Sequence, residues 1–108
     1  MVKGKTTVNI FKTNSGEGAR MVIPKLMADE LGIKNKETFS QKLVGEYIEM
    51  ERTSILGDDT VSISQFKTNT SKVTRVYILH NIVKSLNIEN KDIMLFKLIG
   101  EKIIIQKL

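Results

Sequence analysis

Arg20 to Gly32 read RMVIPKLMADELG, and 55 positions further along Arg75 to Asn87 read RVYILHNIVKSLN. The match extends outward without a gap, since 8–53 aligned on 63–108 shares 15 identities in 46 positions. Chance would supply about three. We therefore predict two copies of one unit with approximate two-fold symmetry. The identical pairs are Phe11/Phe66, Lys12/Lys67, Thr13/Thr68, Asn14/Asn69, Arg20/Arg75, Ile23/Ile78, Leu31/Leu86, Ile33/Ile88, Asn35/Asn90, Lys36/Lys91, Lys42/Lys97, Leu43/Leu98, Gly45/Gly100, Glu46/Glu101 and Ile48/Ile103.

Each copy is predicted to form strand, loop, strand, short helix and hairpin. Alternating apolar residues indicate the strands, and apolar residues at i, i+3, i+4 and i+7 indicate each helix. Gly32 and Asn87 are the residue types that most readily end a helix in the left-handed conformation. The predicted bounds are loops Thr13–Ala19 and Thr68–Thr74, strands starting at Arg20 and Arg75, helices ending at Leu31 and Leu86, and hairpins Thr38–Val44 with Tyr47–Arg52 and Ile93–Ile99 with Lys102–Lys107.

Size decides the domain organisation. A unit of under about 50 residues buries too little apolar surface to be stable alone, whereas 108 residues can close one core. We therefore predict one domain over 1–108, with copy one at about 5–52, a connector at 53–60 and copy two at about 61–108.

Composition excludes several classes of protein. The chain has no cysteine, so it forms no disulfide or thiolate metal site, which favours the cytoplasm. It has no apolar run near the roughly 18 residues of a membrane span and no signal-peptide core in MVKGKTTVN. His80 is the only histidine, and no P-loop or dinucleotide motif is present. We expect neither enzymatic activity nor a cofactor.

The positive charge is concentrated in equivalent segments. Residues 1–23 carry four basic groups against one acidic group, and residues 60–78 carry three against none. Together they hold +6, whereas the remaining residues carry 10 basic and 11 acidic groups. This placement favours a polyanion-binding face over the alternative of a scattered, solvated surface charge.

The run Arg20-Met21-Val22-Ile23-Pro24-Lys25, with Leu31-Gly32-Ile33 and a glycine-centred hairpin after it, resembles the AbrB/MazE/SpoVT group of bacterial swapped-hairpin DNA-binding domains. In the second copy Leu79 replaces the proline and Asn87 the glycine. The resemblance implies an α+β fold in which hairpins interlock into a swapped-hairpin β-barrel with two short helices. It also implies that the chain corresponds to a dimer of that family fused by tandem duplication.

The resemblance and the internal alignment together suggest DNA-contacting residues. Arg20 matches the family's arginine, and Arg75 matches Arg20; bidentate contact with guanine suits both. An alternative for Arg20 is a surface ion pair with Glu17. The asparagines suit adenine or a simple turn, and the lysines suit phosphate or a solvated strand end. The full predicted DNA-binding set is Lys12, Asn14, Arg20, Lys67, Asn69, Lys72 and Arg75.

These observations predict a sequence-specific double-stranded DNA-binding transcriptional regulator, a repressor of bacterial or phage (mobile-element) origin. One alternative is an antitoxin-like or adaptor module that binds another protein. A nonspecific nucleoid-type binder is a third reading.

The two hairpins differ on their outer faces. The second carries Ile93, Leu95 and Ile104 where the first carries Thr38, Ser40 and Glu49. We expect this apolar face to be covered by a second molecule in a homodimer, or else by the connector with Ile55 and Leu56. The predicted core-facing residues are Phe39, Leu43, Ile48 and Met50 in the first hairpin, and Met94, Leu98, Ile103 and Ile105 in the second.

Overall fold

A computed structural model describes residues 2–108. The same order of elements occurs in each half, and the strands close into an antiparallel barrel in the order β1-β2-β6-β5-β3-β4-β8-β7. The elements are β1 (Lys3–Thr13), β2 (Gly16–Val22), α1 (Lys25–Leu31), β3 (Thr38–Val44), β4 (Tyr47–Arg52), β5 (Thr60–Lys67), β6 (Lys72–Ile78), α2 (His80–Leu86), β7 (Ile93–Ile99) and β8 (Lys102–Lys107). The bounds predicted for the second hairpin of each half are confirmed.

Hairpins of the two halves alternate around the barrel. Strand β3 pairs with β5, β4 with β8 and β7 with β1, so each half pairs its second hairpin with the other half. The pairs Met21↔Val76 and Glu49↔Ile104 each join positions 55 apart. The other pairs of β2 with β6 and of β4 with β8 are arranged symmetrically about these two, so a pseudo-two-fold axis passes through both.

The barrel interior is filled by the inward residues of all eight strands. The predicted core-facing residues of the hairpins are buried, with one exception. Leu43 is 36 % exposed, although its counterpart Leu98 is only 7 % exposed. The prediction for Leu43 is therefore wrong. Val2 packs on the core and its carbonyl accepts a hydrogen bond from the Leu98 N–H, whereas the equivalent residue of the second half is Gly57, which has no side chain and turns back onto Thr60.

Two buried, inward positions among residues 2–108 are polar: Thr74 on β6, which is 4 % exposed, and Gln41 on β3. Gln41 on β3 is 1 % exposed, where β7 has Phe96. Its amide accepts a hydrogen bond from the Leu79 N–H (2.7 Å) and donates one to the Tyr77 carbonyl (3.0 Å). The glutamine therefore links β3 to the start of α2. Burying its polar amide costs free energy, and the two hydrogen bonds offset that cost.

Both helices end as predicted, at Leu31 and Leu86. Gly32 and Asn87 adopt left-handed φ values of 60° and 53°. The carbonyl of the last residue of each helix also accepts a hydrogen bond from a basic side chain. Arg52 of β4 donates to the Leu31 carbonyl, and Lys107 of β8 donates to the Leu86 carbonyl. Within residues 2–108 neither helix is long and apolar enough to span a membrane.

The predicted first loop of each half is too long. Strand β2 starts at Gly16 and β6 at Lys72, so only short turns remain after β1 and β5. The reason in the first half is Gly18, which lies in β2 opposite Phe11. A Cβ at Gly18 would be 2.5 Å from the Phe11 ring. The glycine therefore admits an aromatic ring over a strand and does not mark a loop.

Candidate nucleic-acid interface

Four strands, β1-β2-β6-β5, form the side of the barrel on which the predicted arginines lie. Met21 and Val76 face the core at the pseudo-two-fold axis, so Arg20 and Arg75, one position away, face outward. Arg20 pairs with Tyr77 and Arg75 with Val22 across the β2-β6 ladder. The two arginines are thus diagonal neighbours on paired strands, positions whose backbones are typically about 7 to 8 Å apart. We call this outward face the arginine face.

Each arginine stacks on the phenylalanine of its own half. The guanidinium carbon of Arg20 lies 4.7 Å from the Phe11 ring centre, and that of Arg75 lies 4.8 Å from the Phe66 ring centre. Among residues 2–108 neither arginine forms an ion pair, so the alternative pairing with Glu17 is not found. Cation–π stacking holds each planar group while leaving its charge uncompensated.

Apolar and aromatic side chains surround the arginines. Val22, Phe66 and Tyr77 are 38 %, 40 % and 47 % exposed. Tyr77 also lies 5.7 Å from Phe11, ring centre to ring centre. These aromatic residues are not among the residues predicted from the sequence to bind DNA. Phe11 and Phe66 are identical in the repeat, and each lies two positions after an outward strand residue (Asn9 and Ser64). This pattern could have indicated that both rings lie on the outer face.

The two asparagines of the predicted site lie at opposite ends of the arginine face. Asn14 is in the turn between β1 and β2, and Asn69 is in the turn between β5 and β6; both are exposed. The turns are held by Thr13 and Thr68, whose hydroxyls donate to the Gly16 and Ser71 carbonyls at 3.1 and 3.0 Å. The asparagine side chains are therefore presented by ordered hairpin tips.

The predicted lysines lie on the other side of these hairpins. Lys12 is two positions beyond Ile10, which packs on the core, so strand alternation directs it away from the arginine face. In the strand register Lys12 lies opposite Glu17, whereas Lys67 lies opposite Lys72. The like charges of the second hairpin repel each other. The structure thus brings the arginines together at the centre and separates the lysines from them.

The predicted oligomer residues lie across the barrel from the arginine face. Ile93 is 45 % exposed, and Leu95 and Ile104 are half-buried and outside the core. The connector does not cover them, since Ile55 and Leu56 are 77 % and 76 % exposed. The alternative of a cover by the connector is therefore wrong.

This hairpin surface is less apolar than the sequence suggested. Ile104 pairs with Glu49 on one side and with Lys97 on the other. Glu49 also forms a 3.2 Å ion pair with Lys102, and this hydrogen bond, with the charges of Glu49 and Glu51, raises the pKa of Lys102. The apolar side chains are separated by charged ones.

Comparison of the chain with family models, curated proteins and solved structures finds no match.

Proposed function

We propose that this chain binds double-stranded DNA sequence-specifically through the arginine face and acts as a transcriptional repressor, not as an enzyme. The observation that carries the proposal is the pair Arg20 and Arg75, stacked on phenylalanines on either side of a pseudo-two-fold axis. Two related cations suit a DNA site with two related half-sites, because operator symmetry mirrors protein symmetry.

The shape of the face is consistent with entry into the major groove. The groove is about 12 Å wide and admits a two-stranded β-ribbon. Strands β2 and β6 lie at the centre of the arginine face, and the closure of the barrel curves β1 and β5 back on either side of them. In this arrangement the two guanidinium groups reach guanine edges, and Asn14 and Asn69 at the hairpin tips reach adenines or phosphates.

Phosphate contacts are assigned to the lysines of the hairpins. Lys67 and Lys72 repel each other across their strand pair, and a phosphate between them would relieve that repulsion. In the first half Lys12 faces Glu17, so the corresponding contact is weaker there. Binding through these groups should release counterions and therefore depend steeply on salt.

The proposal includes membership of the AbrB/MazE/SpoVT type, with the two halves as fused protomers of a swapped-hairpin barrel. The pairing of each second hairpin with strands of the other half supports it. We also propose that the protein acts in the cytoplasm of a bacterium or as a product of a phage or other mobile element.

A protein-binding adaptor or antitoxin is the second candidate function. One observation favours it: Phe66, Tyr77 and Val22 are exposed beside arginines, which is a composition typical of protein interfaces. The two candidates differ in salt dependence, because an aromatic protein interface changes less with salt than phosphate contacts do.

The test uses duplexes selected by the protein from a random-sequence pool, with a scrambled duplex for comparison. Arg20→Ala and Arg75→Ala should each weaken binding by about 5- to 150-fold, as for loss of a base contact. If Lys12, Lys67 and Lys72 meet phosphates, log K against log salt should slope at about −3. Arg20→Lys and Arg75→Lys retain the charge but not the bidentate geometry, so they should restore affinity and not specificity.

Lys42→Ala serves as the control, because Lys42 is exposed on β3, away from the arginine face, and its loss changes the net charge equally. Thermal unfolding should show that all variants remain folded. Unchanged binding by the Arg20→Ala/Arg75→Ala double variant, or failure to select any duplex, would refute the proposal.

A further inference from the structure

Two clefts beside the helices are pseudo-symmetric counterparts. One, of about 350 Å³, lies between α2 and the β1-β2 hairpin, and the other, of about 310 Å³, lies between α1 and the β5-β6 hairpin. Strands β2 and β6 are antiparallel, so the tips of these hairpins point in opposite directions. The clefts therefore lie on opposite flanks of the molecule.

The charges of the two clefts are inverted at equivalent positions. Glu17 and Glu89 line the first cleft, and at the same positions of the repeat Lys72 and Lys34 line the second. All four side chains are exposed, and within residues 2–108 none forms an ion pair. We call the first the acidic cleft and the second the basic cleft.

The remaining charges preserve this opposition. His80 lines the acidic cleft where Lys25 lines the basic one. Asp29 also lines the basic cleft, but it is occupied by a 3.1 Å ion pair with Lys25. Counted over their lining residues, with histidine taken as uncharged, the clefts carry −2 (Glu17, Glu89) and +2 (Lys25, Lys34 and Lys72 less Asp29). Lys12 opposite Glu17 and Lys67 opposite Lys72 each add one positive charge beside a cleft, which leaves one cleft acidic and the other basic. Opposite charge on equivalent surfaces is electrostatic complementarity between copies of this chain.

The clefts also differ in their interior. In the basic cleft the amide of Gln65 donates to the Ile33 carbonyl at 2.8 Å and to the Thr74 hydroxyl at 3.1 Å. The acidic cleft has Ile10 and Ala19 at these positions, so its floor is apolar. Exposed lysine side chains of a neighbouring molecule, such as Lys34 and Lys72, would therefore bury their aliphatic stems in the acidic cleft as well as pairing charges.

We propose that the acidic cleft of one molecule binds the basic cleft of the next, so that copies of this chain associate head to tail. The surfaces in contact are different patches, so the contact is heterologous and leaves one free cleft at each end for further growth. The charges are exposed, so the contact is weak and depends on low ionic strength. It does not involve the C-terminal hairpins, and it shares only Lys72 with the proposed phosphate contacts.

Charge exchange tests the proposal in the absence of DNA. Glu17→Lys with Glu89→Lys places in the acidic cleft the residues that the basic cleft carries, and Lys34→Glu with Lys72→Glu does the converse. The wild type should self-associate in sedimentation velocity at an ionic strength of about 0.01 M and dissociate at about 1 M. Each double variant should associate at least about tenfold more weakly, since two attractive pairs become repulsive.

An equimolar mixture of the two double variants should associate as the wild type does, because one then carries two basic clefts and the other two acidic ones. Lys3→Glu with Lys42→Glu is the control, because both lysines are exposed outside the clefts and the pair changes the net charge as much as Lys34→Glu with Lys72→Glu. The proposal would be overturned if self-association of the wild type did not change with salt. It would also be overturned if the two variants, when mixed, sedimented as each does alone. Because Lys72 is also a proposed phosphate contact, weaker DNA binding by the Lys34→Glu/Lys72→Glu variant is expected; unchanged self-association of that variant would overturn the cleft contact.

Discussion

At the residue scale, two asparagines outside every predicted site join the two halves. The Asn90 side chain accepts a hydrogen bond from the Ile10 N–H at 2.9 Å, and Asn35 accepts one from the Gln65 N–H at the same distance. Each bond runs from the segment after a helix to the first strand of the other half. This explains why both asparagines are identical in the repeat.

Asn35→Ala and Asn90→Ala should each destabilise the protein by about 1 kcal/mol, because each leaves a strand N–H without its partner. For a domain near this size, that corresponds to a fall in Tm of roughly 4 to 8 °C. Asn14→Ala and Asn69→Ala are the matched controls, since these side chains form no hydrogen bond within residues 2–108. Thermal unfolding followed by circular dichroism measures all four, and equal effects at the two kinds of site would contradict the assignment.

At the element scale, the second hairpins hold the barrel together. Strands β3 and β4 pair with β5 and β8, and β7 pairs with β1. Neither half therefore contains a closed set of strands. The short helices add little independent stability, since two-turn helices form mainly through tertiary packing.

Residues 2–56 and 57–108, expressed separately, should not form folded monomers. Each half should be disordered or should self-associate, because the edges of its hairpins need partners from another copy. Mixing the halves should restore cooperative unfolding by forming the native strand pairs. Two monomeric halves that each unfold cooperatively would show that the halves do not share one core.

At the scale of the whole molecule, a nearly symmetric frame carries unlike surfaces. The arginine face retains both arginines and both phenylalanines, whereas the flanking clefts have opposite charge. The outer hairpin surface is polar in one half and partly apolar in the other. We propose that the apolar part, around Ile93, Leu95 and Ile104, forms a homodimer contact that brings two arginine faces to a longer DNA site.

Leu95→Ser with Ile104→Thr should convert that dimer to a folded monomer with weaker DNA binding. Threonine is chosen at 104 because a glutamate there would lie opposite Glu49. The contact is apolar, so it should persist at high salt, unlike contacts between the clefts. Leu26→Ser, which removes an apolar side chain that is 73 % exposed on α1, is the control in sedimentation equilibrium. A wild type that is monomeric at high salt would exclude the dimer.

The sequence by itself determined the repeat, the helix ends and the bounds of the second hairpins. These depend on alternation, helical spacing and the left-handed preference of Gly32 and Asn87, all of which act over a few residues. The predicted loops failed where a contact across strands, between Phe11 and Gly18, overrode the local signal of a glycine.

Only the tertiary structure decided how the predicted site residues are grouped. It stacks the arginines on phenylalanines, places Lys72 beside α1 and puts opposite charges in equivalent clefts. It also joins Ile10 to Asn90, 80 positions apart. Such contacts depend on strand register and barrel closure, which bring distant residues together through the packing of the whole chain, and no local pattern encodes them.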